Sequence, residues 1–146
     1  MRTLKIAFVA AAALLSATSL AQANDAAVKY RQANMEIIGG HMHSIVPILK
    51  GEVTNKDELL VHAQGLAAVA ALTPAAFKEK ATGGKSEAKD AIWSKWAEFE
   101  TDAKAMKTEA DKLAQVVASG DTAAIGAQVG ALGKTCKGCH DDFKKD

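Results

Sequence analysis

Apolar residues recur along this chain at helical spacing, and nowhere at the alternating spacing a half-buried strand needs. Val28, Met35, Met42 and Leu49 repeat every seven residues. Arg31, Ile38 and Ile45 fill the alternate positions, which makes a continuous a/d stripe over about three heptads. Asp25 stands where it can cap the start of this segment and Gly51 follows its end. Pro47 falls in its last turn and is expected to kink or fray it. A second segment starts from Thr54 as N-cap, with Asp57 three residues on. It turns Leu59, Ala63, Leu66 and Ala70 inward and stops near Leu72, ahead of Pro74. Residues 73–86, TPAAFKEKATGGKS, read as the longest irregular stretch. Ser86 or Asp90 opens the third segment. Its stripe runs Ile92, Trp96, Phe99, Ala103, Met106, Ala110, Leu113 and Val117, and Ser119-Gly120 ends it. Asp121 caps a fourth, with Ile125, Val129, Leu132, Cys136, Cys139 and Phe143 inward. Four one-sided helices joined by mostly short links bury their apolar faces best as an all-α, antiparallel four-helix bundle.

The N-terminus reads differently. Arg2 and Lys5 precede the apolar run IAFVAAAALL, which is too short to span a bilayer, and Ala21-Gln22-Ala23 has the form of a cleavage site. Charge, apolar run and small-residue site in that order predict an export signal over residues 1–23. The competing reading is a buried N-terminal helix or an anchor. Removal leaves residues 24–146 as one domain, delivered to an oxidising compartment, the periplasm. No later segment is long and apolar enough for stable membrane insertion. The formal charge of +1 loses two with Arg2 and Lys5 and stays near zero. No basic run is interleaved with aromatics, so no nucleic-acid surface is indicated. The chain has only seven aromatic residues, and Phe8 and Phe77 fall in the signal or the irregular stretch. The bundle is thin in large side chains, a deficit that a bulky flat cofactor would fill.

The only two cysteines stand together near the C-terminus, in TCKGCHDDF. On a helix Cys136 and Cys139 lie one turn apart, and His140, four residues from Cys136, shares their face. Cys-x-x-Cys-His matches covalent attachment of one haem c per chain: two thiols add across the vinyl groups on one porphyrin edge, and His140 reaches the iron. Three other readings compete. A redox disulfide usually opens a helix after a strand, and no strand pattern is visible. Half a zinc site lacks its second cysteine pair, and His41, His43 and His62 have no zinc-knuckle spacing with the motif. The third is coincidence. Nothing in the sequence forms a catalytic residue set, so the chain is not read as an enzyme.

With this motif on its fourth helix, AVKYRQANM on its first, AIW at 91–93 and CKGCHDDFKK at 136–145, the chain resembles the class II c-type cytochromes. These are the cytochromes c′ and their low-spin relatives, the cytochromes c556. The likeness covers roughly residues 25–145. Class I cytochromes c carry the motif near the N-terminus instead. The resemblance implies a left-handed four-helix bundle holding haem c between its helices, often as a homodimer through the first two helices.

The family divides at the sixth coordination position of the iron. Cytochromes c′ place a non-ligating residue there and bind small gases, whereas the c556 group places Met. Aligning KYRQ puts this position at Met35. A His140/Met35 pair closes the iron to ligands and suits a periplasmic electron-transfer protein. That is the leading expectation, and a five-coordinate cytochrome c′ binding nitric oxide or carbon monoxide is the alternative. Met35 also reads as a core gap-filler, and Met42, one heptad on, is its rival as ligand. Arg31 on the inward stripe needs an anionic partner, and a haem propionate supplies one; the other reading puts Arg31 at the solvent edge. The resemblance implies the same role for Arg31 and a haem contact for Gln32. Trp93 and Trp96 read as packing residues, and His41, His43 and His62 as solvated surface. Lys134, Lys137, Lys144 and Lys145 read as a solvated helix end or as a patch that orients an acidic redox partner.

Overall fold

The computed structural model describes residues 2–145, with the side chains of Gln22 and of residues 24–145; the expected signal, residues 1–23, lies outside the part described in full. Six α-helices occur among the described residues: α1 (Arg2–Lys50), α2 (Leu59–Ala70), α3 (Thr73–Phe77), α4 (Ala91–Ser94), α5 (Trp96–Ser119) and α6 (Thr122–Phe143). A single 3-10 turn, Lys56–Glu58, precedes α2. No described helix is long and apolar enough to cross a membrane. An isolated bridge between Ala88 and Lys144 is the only β pairing among the described residues.

The four long helices form the bundle. Helix α1 packs on α2, α2 on α5 and α5 on α6, while α1 and α6 barely approach each other. The bundle is therefore closed on three sides and parted on the fourth. Its main core joins Ile38, Ile45 and Ile48 of α1, Leu66 of α2, Leu113 of α5 and Leu132 of α6. The expected inner faces of α2 and α5 are inside: Leu59, Ala63, Leu66 and Ala70 are buried, as are Phe99, Ala103, Met106, Ala110 and Leu113. A second cluster gathers Phe77, Ile92, Phe99 and Phe143. Its rings meet tilted or edge-on at centroid separations of 5.1 Å (Phe77–Phe99) and 5.4 Å (Phe99–Phe143), an arrangement that suits their quadrupoles.

The helix ends follow local chemistry. Gly51 and Gly120 take φ of +70° and +76° just past α1 and α5, a conformation that needs glycine. Asp121 caps α6, its carboxylate accepting from the N–H groups of Ala123 and Ala124, both at 3.0 Å. Pro47 does not end α1, which continues to Lys50; so near the C-terminus the missing N–H forfeits one bond of the final turn. Thr54 is not the cap of α2. The chain first makes the 3-10 turn, where the Asn55 side chain donates to Glu58, and α2 begins four residues later than the Thr54–Asp57 spacing suggests. Residues 73–86 are not wholly irregular either. Pro74 sits in the first turn of α3, where its missing N–H costs nothing, and this turns Phe77 into the core rather than into a loop.

Candidate functional site

A cavity of about 530 Å³ occupies the parted side of the bundle, between α1 and α6. That size is ordinary for a cofactor pocket. Helix α1 contributes Arg31, Gln32, Met35, Ile38 and Met42, and α6 contributes Cys136, Cys139, His140 and Phe143. Leu66, Phe99 and Met106 form its floor, and Ser86, Glu87 and Ala88 lie along its mouth. All six residues expected to hold a cofactor thus line one space, Arg31, Gln32 and Met35 on one wall and the thiols and imidazole on the other.

Helix α6 runs unbroken from its Asp121 cap through Phe143, so Cys136, Cys139 and His140 share one face. Both thiols are half-buried and unbonded. Burial pushes both up, Cys139 to about 11, with Asp102, Cys136 and Asp142 adding to the shift. Reactive redox thiols have the opposite bias, so this environment does not favour disulfide exchange. No group of three or more His, Cys, Asp or Glu among the described residues could hold a metal ion, which removes the zinc reading. His140 lies at the exposed rim. Partial burial lowers it below its usual value, Lys144 lowers it further, and Asp141 and Glu87 oppose them. The neutral imidazole that results at neutral pH is the form that binds iron.

Arg31 is 2 % exposed, and it is not at the solvent edge. Its Nη2 donates to the Ala81 carbonyl and to Ser86 Oγ. Its guanidinium lies 5.3 Å from the Trp93 ring and 5.4 Å from the Phe77 ring. Trp93 is fixed in turn by its Nε1, which donates to the Phe77 carbonyl at 2.9 Å. Burial lowers the guanidinium's pKa, and no carboxylate pairs with it among the described residues. Its Nη1 is buried with no acceptor, and the hydroxyl of Thr73, which also lines the cavity, is buried without a partner. A buried cation with an unspent donor calls for an anionic oxygen ligand.

The segment between α3 and α4 closes the mouth. Arg31 holds it at Ala81 and Ser86, and Gln32 Nε2 donates to the Lys85 carbonyl at 3.0 Å. Its far end is zipped to the end of α6: Lys89 N–H donates to the Phe143 carbonyl at 2.9 Å and Lys145 N–H to the Glu87 carbonyl at 2.7 Å. The Lys144–Glu87 ion pair, at 3.1 Å, adds to it. Ser86, expected as a helix cap, is instead an anchor for Arg31. Lys137 pairs with Asp141 and Lys145 Nζ donates to the Ser86 carbonyl, so three of the four lysines near the motif are held locally.

What fits between a guanidinium with one unspent nitrogen on one wall and two thiols with an imidazole on the other is a flat cofactor that carries carboxylates and a metal centre. Fold and site together define a class, the c-type haem proteins built on a four-helix bundle. The family model described as Cytochrome C′ matches residues 26–144. The cytochrome c′ of Pararhodospirillum photometricum is 42% identical over 122 residues, covering 83% of this chain and 98% of that protein. The solved cytochrome c prime from Shewanella frigidimarina superposes with a TM-score of 0.79 at 31% identity, covering 84% of this chain and 97% of that one. Variants of the Alcaligenes xylosoxidans protein, one with nitric oxide and one with carbon monoxide bound, superpose at TM-score 0.76 and 31% identity, again covering 84% and 97%. The chain belongs to the cytochrome c′ family, whose members carry covalent haem c. Membership also bears out the expectation of a protein that is not an enzyme.

The leading functional expectation does not stand. A low-spin His140/Met35 electron carrier is the c556 pattern, and a cytochrome c-556, from Agrobacterium tumefaciens, matches at only 30% identity over 118 residues. Several structural neighbours are instead cytochrome c prime variants solved with nitric oxide or carbon monoxide bound. The physical reason the sequence misleads is that Met35 has two company residues. Met42 and Met106 line the same cavity, together with Ile38 and Leu66. Flexible thioethers around a large cofactor serve as packing. The histidines need a smaller correction. His43 is exposed at the cavity rim, but His41 and His62 are half-buried and paired across α1 and α2. Sequence reasoning missed Phe77, Thr73, Ala81 and Ser86 as site residues. They act through single contacts in a segment without periodicity, and no sequence signal marks them.

Proposed function

We propose that this chain is a five-coordinate, gas-binding cytochrome c′ that takes up nitric oxide or carbon monoxide in the periplasm. The observation that carries this reading is the likeness to neighbours whose structures hold those two gases. Haem c supplies an iron with one coordination position open to a diatomic ligand. Cys136 and Cys139 hold the group by thioether bonds, and the His140 imidazole is the protein's one ligand to the metal. Arg31 gives its unspent Nη1 to a propionate, while Gln32 lies against the group from the same helix turn. Met35, Ile38 and Met42 make an apolar wall that excludes water and charged ligands from the side of α1. Neutral diatomic molecules pass such a wall at little desolvation cost; anions do not.

Removal of residues 1–23 precedes this function and delivers residues 24–146 to the periplasm, in keeping with the family match that starts at residue 26. A homodimer through the first two helices covers the exposed apolar residues Tyr30 and Ile37 of α1 and Val61 of α2, with Leu72 just beyond. A periplasmic redox partner keeps the cofactor reduced. Carbon monoxide titration of the reduced protein tests the reading. A saturable shift of the main haem band, with a single affinity, is expected. A reduced spectrum indifferent to saturating carbon monoxide would exclude an open position.

A further inference from the structure

Helices α1 and α2 bring two imidazoles together away from the haem cavity, whose lining includes neither. His41 Nδ1 and His62 Nδ1 lie 3.2 Å apart, with ring centroids at 5.4 Å and planes inclined by 63°. Gly65, one turn beyond His62, makes room for this. A Cβ there would lie 2.6 Å from Cε1 and Nε2 of His41, so any side chain at 65 would displace the ring. Both rings are half-buried. Burial, with the neighbouring His62 adding to it, lowers the pKa of His41, which leaves a lone pair available at neutral pH.

Nitrogen ligands stand about 2.0–2.1 Å from zinc-like ions, and at that length two nitrogens separated as these are subtend about 100° at the metal, near the tetrahedral value. We propose that His41 and His62 form a two-histidine site that takes a divalent transition-metal ion of the zinc or copper class through their Nδ1 atoms. Water completes the coordination, since no third protein ligand stands with them among the described residues. Imidazole suits these ions better than it suits magnesium or calcium, which prefer oxygen. The site is open and two-coordinate from the protein, so it binds reversibly rather than holding the fold together. It is independent of the gas-binding reading, because neither histidine touches the haem cavity.

Calorimetric titration of the haem-loaded, tag-free protein with zinc chloride tests it. The wild type should bind zinc, and His41→Ala and His62→Ala should each weaken binding by at least about tenfold. Gly65→Ala keeps both histidines but displaces one ring, and should weaken binding as well. His43→Ala should retain the wild-type affinity, and the far-ultraviolet circular dichroism of each variant reports whether it is folded. Absence of zinc uptake by the wild type at millimolar metal, or an affinity unchanged in folded His62→Ala, would overturn the proposal. The two imidazoles would then share only a proton.

Discussion

Replacing Arg31 by Met tests how the cavity mouth is held. The substitution keeps an unbranched side chain between Phe77 and Trp93 but removes the whole donor fork. It deletes the bonds to the Ala81 carbonyl and Ser86 Oγ and leaves the buried carbonyl without a donor. Hydrogen bonds from a charged group contribute about 1.5–3 kcal/mol each, and an unsatisfied buried acceptor costs about 1–3 kcal/mol. Relief from burying a guanidinium offsets part of this, but the propionate proposed as its partner stays behind, the situation in which truncation is most harmful. The net expectation is a loss of about 2–4 kcal/mol. With a urea m-value of about 1–3 kcal/mol/M, the unfolding midpoint of the haem-loaded protein should fall by roughly 1–2 M. Unfolding is followed at the haem band and by circular dichroism. Arg31→Lys keeps a charge without the fork and should fall between the two. A Met variant whose midpoint lies within ~0.3 M of the wild type would refute the assignment of Arg31 as anchor and anion partner.

Other outcomes follow from the same structure. Asp121→Ala removes the acceptor for two N–H groups of α6 and should cost about 1 kcal/mol in urea unfolding, without altering the haem spectrum. Met35→Leu conserves volume in the cavity wall, so the oxidised and reduced spectra should be those of the wild type; a change of spin state on this substitution would restore Met35 as a ligand. Cys139→Ser should leave a single thioether at Cys136, and acid–acetone extraction of the wild type should leave one haem on the polypeptide by intact mass.

Long stripes were the legible part of the fold. Seven of the eight expected inward positions of the third segment extend over most of α5, while Ile92 falls on α4, across a break at Lys95; Asp121 and Gly120 mark their helix ends by local chemistry alone. The shared face of Cys136, Cys139 and His140 was equally legible, because the three meet by helical spacing and nothing else. Arg31 was readable as a buried charge in need of an anion. The clasp formed by Ala81 and Ser86 was not, since a backbone carbonyl has no signature in the side-chain sequence. Nor was the His41–His62 pair, which depends on how α1 crosses α2 and on the missing side chain of Gly65. The coordination of the iron escaped for a different reason: a methionine facing a haem-sized cavity has the same sequence signature whether it ligates or packs.

Electron paramagnetic resonance of the oxidised protein at neutral pH tests the central claim most directly, because it reports the number of strong ligands on the iron without adding any. A five-coordinate centre held by His140 alone predicts a predominantly high-spin axial signal, unchanged in Met35→Leu. A rhombic low-spin signal that collapses to high spin in Met35→Leu would contradict the account and return the sixth position to the thioether.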